Sequence, residues 1–146
     1  MMLYLDSSAL TKRYLQAEAG ADEVISLMKA AVRNATAVVS RAEVSAALAK
    51  AVRLNWIEHD VGQAARANFQ DEWLGLFRLP IREITVSRAE DLAWKHGLRG
   101  YDAVHLACAT LWHESLGEPI TLATFDEPLW RAAARAGLQA WPEQLP

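Results

Sequence analysis

Short apolar runs alternate along the chain with longer segments in which apolar residues recur every three or four positions. The short runs predict β-strands, and the longer segments predict helices with one buried face. The predicted strands are Met2–Leu5, Thr36–Val39, Ile81–Val86, Ile120–Thr124 and Gln139–Trp141. The predicted helices are Ser8–Leu15, Ala21–Arg33, Ser40–Leu54, Asp60–Leu79, Ser87–His96, Tyr101–Leu116 and Glu127–Ala136.

Strands that alternate with helices predict an α/β fold, in which helices cover both faces of a parallel sheet. Right-handed crossovers place the carboxyl ends of such strands along one edge of the sheet. Ligands bind along that edge, near the point where the strand order reverses. The length of 146 residues predicts a single domain over residues 1–146.

Composition narrows the class of protein. With 52% hydrophobic and 23% charged residues, the chain is expected to be globular and not disordered. The net charge of −3 argues against a broad, sequence-blind coat for nucleic acid, but not against a metal-dependent enzyme acting on it. Cys108 is the single cysteine, which excludes an intramolecular disulfide and a cysteine-based zinc site. Neither a targeting signal nor a membrane segment is evident, so we expect a cytoplasmic protein.

Four acidic residues follow predicted strands or begin predicted helices: Asp6, Glu43, Asp102 and Asp126. Each has a local explanation. Asp6 and Asp126 fit the N-cap position of a helix, and Asp102 suits the positive end of the helix dipole. Taken singly, every one of these acids is explained at least as well by capping as by catalysis.

Two segments have the form of a capping box, in which a glutamate in the first turn bonds back to the amide of the capping serine. These segments, residues 40–43 and 87–90, both follow a predicted strand. Local sequence does not separate Glu43 from Glu90. Spacing alone therefore leaves open whether Glu43 has a role beyond capping.

Taken together, the acids suggest a different interpretation. At a separation of roughly 4 Å and an effective dielectric of about 20, each pair of like charges costs about 4 kcal/mol. A cluster of carboxylates would therefore protonate or disperse unless a cation occupied it, and ligands made only of oxygen suit Mg²⁺ or Mn²⁺. Such a site favours phosphodiester hydrolysis. The hydroxyls of Ser7, Ser8 and Thr124 are candidates for binding water or phosphate near it, although Ser8 also fits a cap.

The motifs that carry these acids resemble those of the PIN-domain ribonucleases, and most closely those of the small VapC-like toxins of prokaryotic toxin–antitoxin pairs. The resemblance covers the whole chain in order. It rests on Glu43 in the helix after the second strand and on three segments, Leu5-Asp6-Ser7-Ser8-Ala9-Leu10, Arg99-Gly100-Tyr101-Asp102-Ala103-Val104-His105-Leu106-Ala107 and Thr124-Phe125-Asp126.

The resemblance implies a three-layer α/β/α fold with strand order 3-2-1-4-5, which brings Glu43 to the crevice and leaves Glu90 away from it. It also implies RNA cleavage that depends on Mg²⁺ or Mn²⁺, with Asp6, Glu43, Asp102 and Asp126 as catalytic metal ligands. Glu127 is an auxiliary candidate. The implied partners are an RNA substrate, a cognate antitoxin protein and a second copy of the chain, bound through surfaces such as the apolar stretches 8–15 and 44–77.

Other residues near the motifs have competing explanations. His105 lies three residues after Asp102 on the same helix face, where a packing or neighbouring role is favoured over direct catalysis. Arg99 is a candidate for binding phosphate, and Lys95 and His96 are similar candidates, but cations at a helix end also suit its dipole. The weaker cationic candidates are Lys12, Arg13 and Arg41. Six tryptophans fall mostly on apolar helical faces, which favours the core or a subunit interface.

Two alternatives remain open at this stage. A PIN-like module that binds RNA or protein without cleaving it would be expected to lack part of the acid set, and all four acids are present. A metalloenzyme acting on a small phosphorylated substrate would use the same acids, and only assays with such substrates would separate it from a ribonuclease.

Overall fold

The computed structural model describes residues 1–145 and has a five-stranded sheet at its centre, in which every strand is parallel to its neighbours. The strands, β1 to β5, are Met2–Leu5, Arg33–Ala37, Phe77–Leu79, Ile120–Ala123 and Gln139–Trp141. The helices, α1 to α7, are Ser7–Lys12, Ala21–Ala30, Ser40–Arg53, His59–Glu72, Glu83–His96, Gly100–Leu116 and Glu127–Arg135. The order β3-β2-β1-β4-β5 confirms the expected topology.

Alternation along β1 divides the interior into two apolar layers. Leu3 and Leu5 face one layer, where they pack with residues of α1 to α4 such as Val44 and Phe69. Tyr4 faces the other layer, which is built from residues of β2, β4 and α5 to α7. Helices therefore cover both faces of the sheet, as the three-layer expectation requires.

The third strand lies four residues before its predicted start, which is the largest departure from the predicted elements. The strand is formed by Phe77–Leu79, which the helical periodicity had assigned to the preceding helix. The predicted strand Ile81–Val86 falls largely in α5, where Ile84 and Val86 are exposed on the helix surface. The Thr85 hydroxyl accepts a hydrogen bond from the Arg82 amide at 3.1 Å, which stabilises this helix start. Tertiary context thus overrides the β-propensity of this run.

Smaller corrections affect other boundaries. The second strand covers Arg33–Ala37 and not Thr36–Val39, because it pairs with β1 from Met2 onward. Helix α2 consequently ends at Ala30 instead of Arg33. The predicted first helix, Ser8–Leu15, is shorter in the structure at Ser7–Lys12.

Both predicted capping boxes were wrong. Residues 87–90 lie inside α5, which begins four residues earlier, so Ser87 caps nothing. Helix α3 begins after Val39, and no side chain caps its first turn. Glu43 reaches away from the Ser40 amide and contacts other elements, which leaves its carboxylate outside any local capping interaction.

Four of the six tryptophans lie at the extremes of exposure. Trp73 and Trp112 are buried in the two apolar layers, as the helical pattern suggested. Trp56 and Trp94 are 65% and 93% exposed, so the core explanation does not hold for them. Within residues 1–145 no helix is both long and apolar enough to cross a membrane.

Candidate active site

Asp6 directly follows β1 and caps α1, as the local interpretation predicted. Its Oδ1 accepts hydrogen bonds from the Ala9 amide at 2.9 Å and from Ser8 Oγ at 2.7 Å, and its Oδ2 accepts one from Thr124 Oγ1 at 2.5 Å. Burial raises the pKa of this carboxyl group, which is only 3% exposed, while nearby His105 and the hydrogen bonds act in the opposite direction. Capping therefore accounts for only part of this environment.

Thr124 joins the ends of β1 and β4. Its hydroxyl donates to Asp6 and accepts a hydrogen bond from the Asp126 amide at 3.0 Å. Ser8 Oγ accepts a hydrogen bond from the Phe125 amide at 2.9 Å, which ties the same loop to α1. Together the two hydroxyls hold Asp6 and Asp126 on adjoining segments at the carboxyl edge of the sheet.

Arg99 bridges two of the predicted acids. Its Nε donates to Asp102 Oδ2 at 3.0 Å, and its Nη2 donates to Asp126 Oδ2 at 2.8 Å. Asp126 also caps α7 through the Leu129 amide. Burial raises the pKa of Asp102, the guanidinium of Arg99 counteracts this, and the charge of Asp126 adds to the rise. A cation of the protein itself therefore lies between these two carboxylates.

Glu43 lies in the first turn of α3 and contacts two other helices. Its Oε2 accepts a hydrogen bond from Ser7 Oγ of α1 at 3.1 Å, and its Oε1 contacts His105 Nε2 of α6 at 2.7 Å. The Glu43 carboxylate is therefore held at the same edge as Asp6, through side chains on two neighbouring elements.

Behind Glu43 lies a buried contact that sequence reasoning missed. The Tyr4 hydroxyl is 2.7 Å from His105 Nδ1, and the two side chains are 0% and 2% exposed. Burial lowers the pKa of His105, but its bond to Glu43 and the charges of three acids leave that pKa raised overall. No sequence signal distinguishes Tyr4 from the apolar residues around it, whereas the spacing from Asp102 correctly placed His105 near the site.

The predicted acids thus reach one edge of the sheet but do not form one cluster. Within residues 1–145 no group of three or more His, Cys, Asp or Glu side chains is arranged to hold a metal ion. Each carboxylate is bonded instead to hydroxyls, amides, His105 or Arg99. Like charges at short range are costly, and these donors, among them Arg99 between Asp102 and Asp126, offset that cost.

The weaker cationic candidates lie in other environments. Lys12 pairs with Glu18 at 3.1 Å, and Arg13 pairs with Glu72 at 2.9 Å. Glu127, the auxiliary acid, pairs with an arginine one turn later in its own helix. The other candidates have these surroundings: Arg41 lies over the Trp73 ring, Lys95 is exposed and His96 is half-buried.

The fold and the acid set define a PIN-domain protein. A family model for the PIN domain matches residues 3–135, and the chain belongs to this family. Within it the chain is VapC-like. Ribonuclease VapC45 of Mycobacterium tuberculosis (strain CDC 1551 / Oshkosh) is 32% identical over 149 aligned positions, which cover 99% of this chain and 97% of that protein.

Two solved structures share the fold. FitAcB from Neisseria gonorrhoeae has a TM-score of 0.67 and 18% identity, and the alignment covers 95% of this chain and 96% of that one. VapBC2 from Rickettsia felis, solved with a DNA fragment from the promoter, has a TM-score of 0.61 and 14% identity, with 96% and 97% covered. At these identities the likeness speaks for the fold alone.

Proposed function

We propose that this single-domain protein is an endoribonuclease toxin that needs a divalent metal ion and is held inactive by a cognate antitoxin. One observation carries the proposal: four acids from separate elements meet one edge of a PIN fold, and Arg99 already lies between two of them as a cation. The relative VapC45 adds support, because it is named a ribonuclease.

The residues present fit a hard divalent ion. All four proposed ligands offer oxygen, and Asp6 and Asp102 are buried carboxyl groups that gain most from a cation nearby. The guanidinium between Asp102 and Asp126 shows that this pair accepts positive charge. We therefore assign Asp6, Glu43, Asp102 and Asp126 as the residues that would hold Mg²⁺ or Mn²⁺. A bound ion would activate water and neutralise charge on the phosphate.

The remaining residues position the acids and the substrate. Thr124 orients Asp6 through its hydroxyl and Asp126 through its backbone amide. Ser7 holds one oxygen of Glu43. Arg99 has a largely exposed side chain, and with Asp102 and Asp126 holding a metal ion its guanidinium would be free to bind an RNA phosphate.

We assign antitoxin binding to the apolar groove between α3 and α4. Its walls include Leu48, Val52 and Ala49 from α3 and Gly62 from α4. An added Cβ at Gly62 would lie 2.4 Å from Val52 Cγ2, so glycine permits the two helices to approach closely. The groove falls inside the apolar stretch 44–77, and we further propose that the active protein is a homodimer.

The test uses purified full-length protein with labelled RNA. We expect cleavage in Mg²⁺ or Mn²⁺, loss of cleavage on chelation and recovery when metal is restored. Asp6→Asn and Asp102→Asn should abolish cleavage, and Glu90→Gln serves as a control acid in the same fold. Undiminished cleavage in either aspartate variant would refute the assigned site. Stable RNA binding without cleavage would favour a non-cleaving PIN-like module.

Growth arrest on expression, relieved by a protein encoded next to this gene, would test the toxin role separately. We expect the relieving protein to bind α3 and α4. Replacing Ala49, an exposed residue of α3 in the groove wall, with arginine should weaken this relief, because the larger side chain occupies the groove. Harmless expression of an active nuclease would contradict the toxin role while leaving the ribonuclease assignment in place.

A further inference from the structure

A chain of polar contacts runs from the interior of the sheet to the candidate site. It begins at the Tyr4 hydroxyl on β1, passes through both ring nitrogens of His105 on α6 and ends at Oε1 of Glu43 on α3. Both links are 2.7 Å long. Tyr4 packs in an apolar layer that includes Leu106 and Leu122, and both Tyr4 and His105 are buried. An apolar residue would fill this space without the cost of burying polar groups.

Hydrogen-bonding rules fix the orientation of this chain. An ionised carboxylate can only accept, so His105 Nε2 must carry the proton that faces Glu43. The Tyr4 hydroxyl both donates and accepts, and it therefore satisfies Nδ1 whether or not that nitrogen carries a proton. The ring cannot turn over without breaking both contacts. Tyr4 thus fixes the ring of His105, and the ring in turn fixes one oxygen of Glu43.

The other oxygen of Glu43 is held from a different direction. Ser7 Oγ of α1 donates to Oε2 at 3.1 Å, while His105 approaches Oε1 from α6. Two donors on two helices define both the place and the rotation of the carboxylate. Glutamate needs such support more than aspartate does, because its longer side chain has more rotamers to lose.

We propose that His105 is a positioning residue that orients the Glu43 carboxylate for metal binding, and that Tyr4 supports it by fixing the imidazole ring. This assignment rests on the proposed function, because it requires Glu43 to be a metal ligand. It goes beyond the acid set by adding a supporting residue from the core. Residues that orient metal ligands in this way typically change metal affinity or activity by roughly 10- to 100-fold when replaced.

Two replacements of His105 separate positioning from packing. The amide nitrogen of glutamine reaches about as far as Nε2, and that of asparagine only about as far as Nδ1. We expect His105→Asn to lower Mn²⁺ affinity and kcat by roughly 10- to 100-fold. His105→Gln should recover most of that loss, because it still donates to Glu43. Calorimetry with Mn²⁺ and RNA cleavage give the two readouts, and thermal unfolding reports on folding.

Two further variants serve for comparison, a control on the same helix as His105 and a change at the inner end of the chain of contacts. His113→Asn alters a histidine near the end of α6 whose Nδ1 contacts the Glu118 carbonyl, and it should change neither readout. Tyr4→Phe removes one hydroxyl and should have a smaller effect than His105→Asn, in the same direction. The proposal would be overturned if the glutamine and asparagine variants lost Mn²⁺ affinity and kcat equally and in proportion to their losses of stability. His105 would then have only a packing role.

A measurement on the wild-type protein avoids the risk that a variant fails to fold. Nitrogen-15 NMR of the imidazole should show a proton on Nε2 that exchanges slowly with water. Absence of that proton would overturn the proposal directly. Failure of the proposed function gives a different result from failure of the positioning role, because the wild-type protein would then neither bind Mn²⁺ nor cleave RNA. The NMR result would still show whether Nε2 holds Glu43.

Discussion

The same four residues, Ser-Arg-Ala-Glu, occur at positions 40–43 and 87–90, and both copies are helical. In the first copy the serine is 0% exposed and bonds to Thr36 Oγ1, and the glutamate contacts Ser7 and His105. In the second copy the serine and the glutamate are both exposed. Identical residues in identical secondary structure therefore have different surroundings.

Position relative to the sheet accounts for the difference. The first copy begins α3 where β2 ends, so its glutamate lies at the carboxyl edge among the other acids. The second copy lies inside α5, away from any strand end, and only its alanine is buried. Chemical role is thus set by topology, and a local motif contributes little to it.

The largest contrast concerns the two glutamates. Glu43→Gln removes a proposed metal ligand and should lower kcat for RNA cleavage by at least about 100-fold, since such residues act directly in the transition state. Glu90→Gln should leave kcat and KM unchanged. Steady-state cleavage assays at saturating Mg²⁺ measure both. Comparable losses of kcat in the two variants would contradict the assignment of Glu43 as a metal ligand.

A second contrast concerns stability. Ser40 Oγ donates to Thr36 Oγ1, which donates to the Leu5 carbonyl, so Ser40→Ala leaves a buried hydroxyl short of a partner. We expect a loss of about 1–2 kcal/mol in the free energy of unfolding. Ser87→Ala removes only a solvated hydroxyl. Urea denaturation of the two variants provides the comparison, and equal effects would argue against the buried network.

A third contrast depends on pH. Burial raises the pKa of Asp6 above its unfolded value, so this carboxyl group favours folding most at low pH and loses that contribution as pH rises through the folded-state pKa. Metal-free Asp6→Asn should therefore have a higher Tm than the wild-type protein at neutral pH. That gap should shrink as pH falls towards about 4. Exposed Glu90→Gln should show no such trend in the same calorimetric series.

The smallest contrast concerns the two arginines. Arg88 binds both oxygens of Glu114, at 2.8 and 3.1 Å, but the pair lies on the surface, so Arg88→Ala should cost less than about 1 kcal/mol and less still in high salt. Arg41 lies 5.9 Å from the centroid of Trp73, and Arg41→Ala should cost about 0.5 kcal/mol with little salt dependence. The free energies of unfolding of the two variants, measured by denaturation at two salt concentrations, distinguish the ion pair of Arg88 from the cation–π contact of Arg41.

Much of the fold was predictable from the sequence, because alternation and helical periodicity mark buried faces directly. The failure at β3 has a physical cause. Residues 77–79 continue the apolar spacing of α4, and the β-branched run after Arg82 mimics a strand. Pairing with β2, a contact between distant residues, selects the shorter segment.

Prediction of the site had a different limit. Asp6, Glu43, Asp102 and Asp126 could be proposed because strand ends share one edge and because the set resembles a known family. Their catalytic roles stay a prediction. The cap partners of Asp6 and Asp126 could be predicted locally. The contacts of Asp126 with Arg99 and of Glu43 with His105 could not, because they form only when distant helices pack together.

The hydrogen bond between Asp6 and Thr124 joins residues separated by 118 positions. During synthesis, Asp6 is made 118 residues before Thr124, its partner after β4. Pairing between distant strands is also slow once the chain is complete. A nascent chain therefore lacks the assembled site until the segment that follows β4 has left the ribosome. With the ribonuclease activity proposed above, this delay would keep a nascent chain from cleaving the message that encodes it.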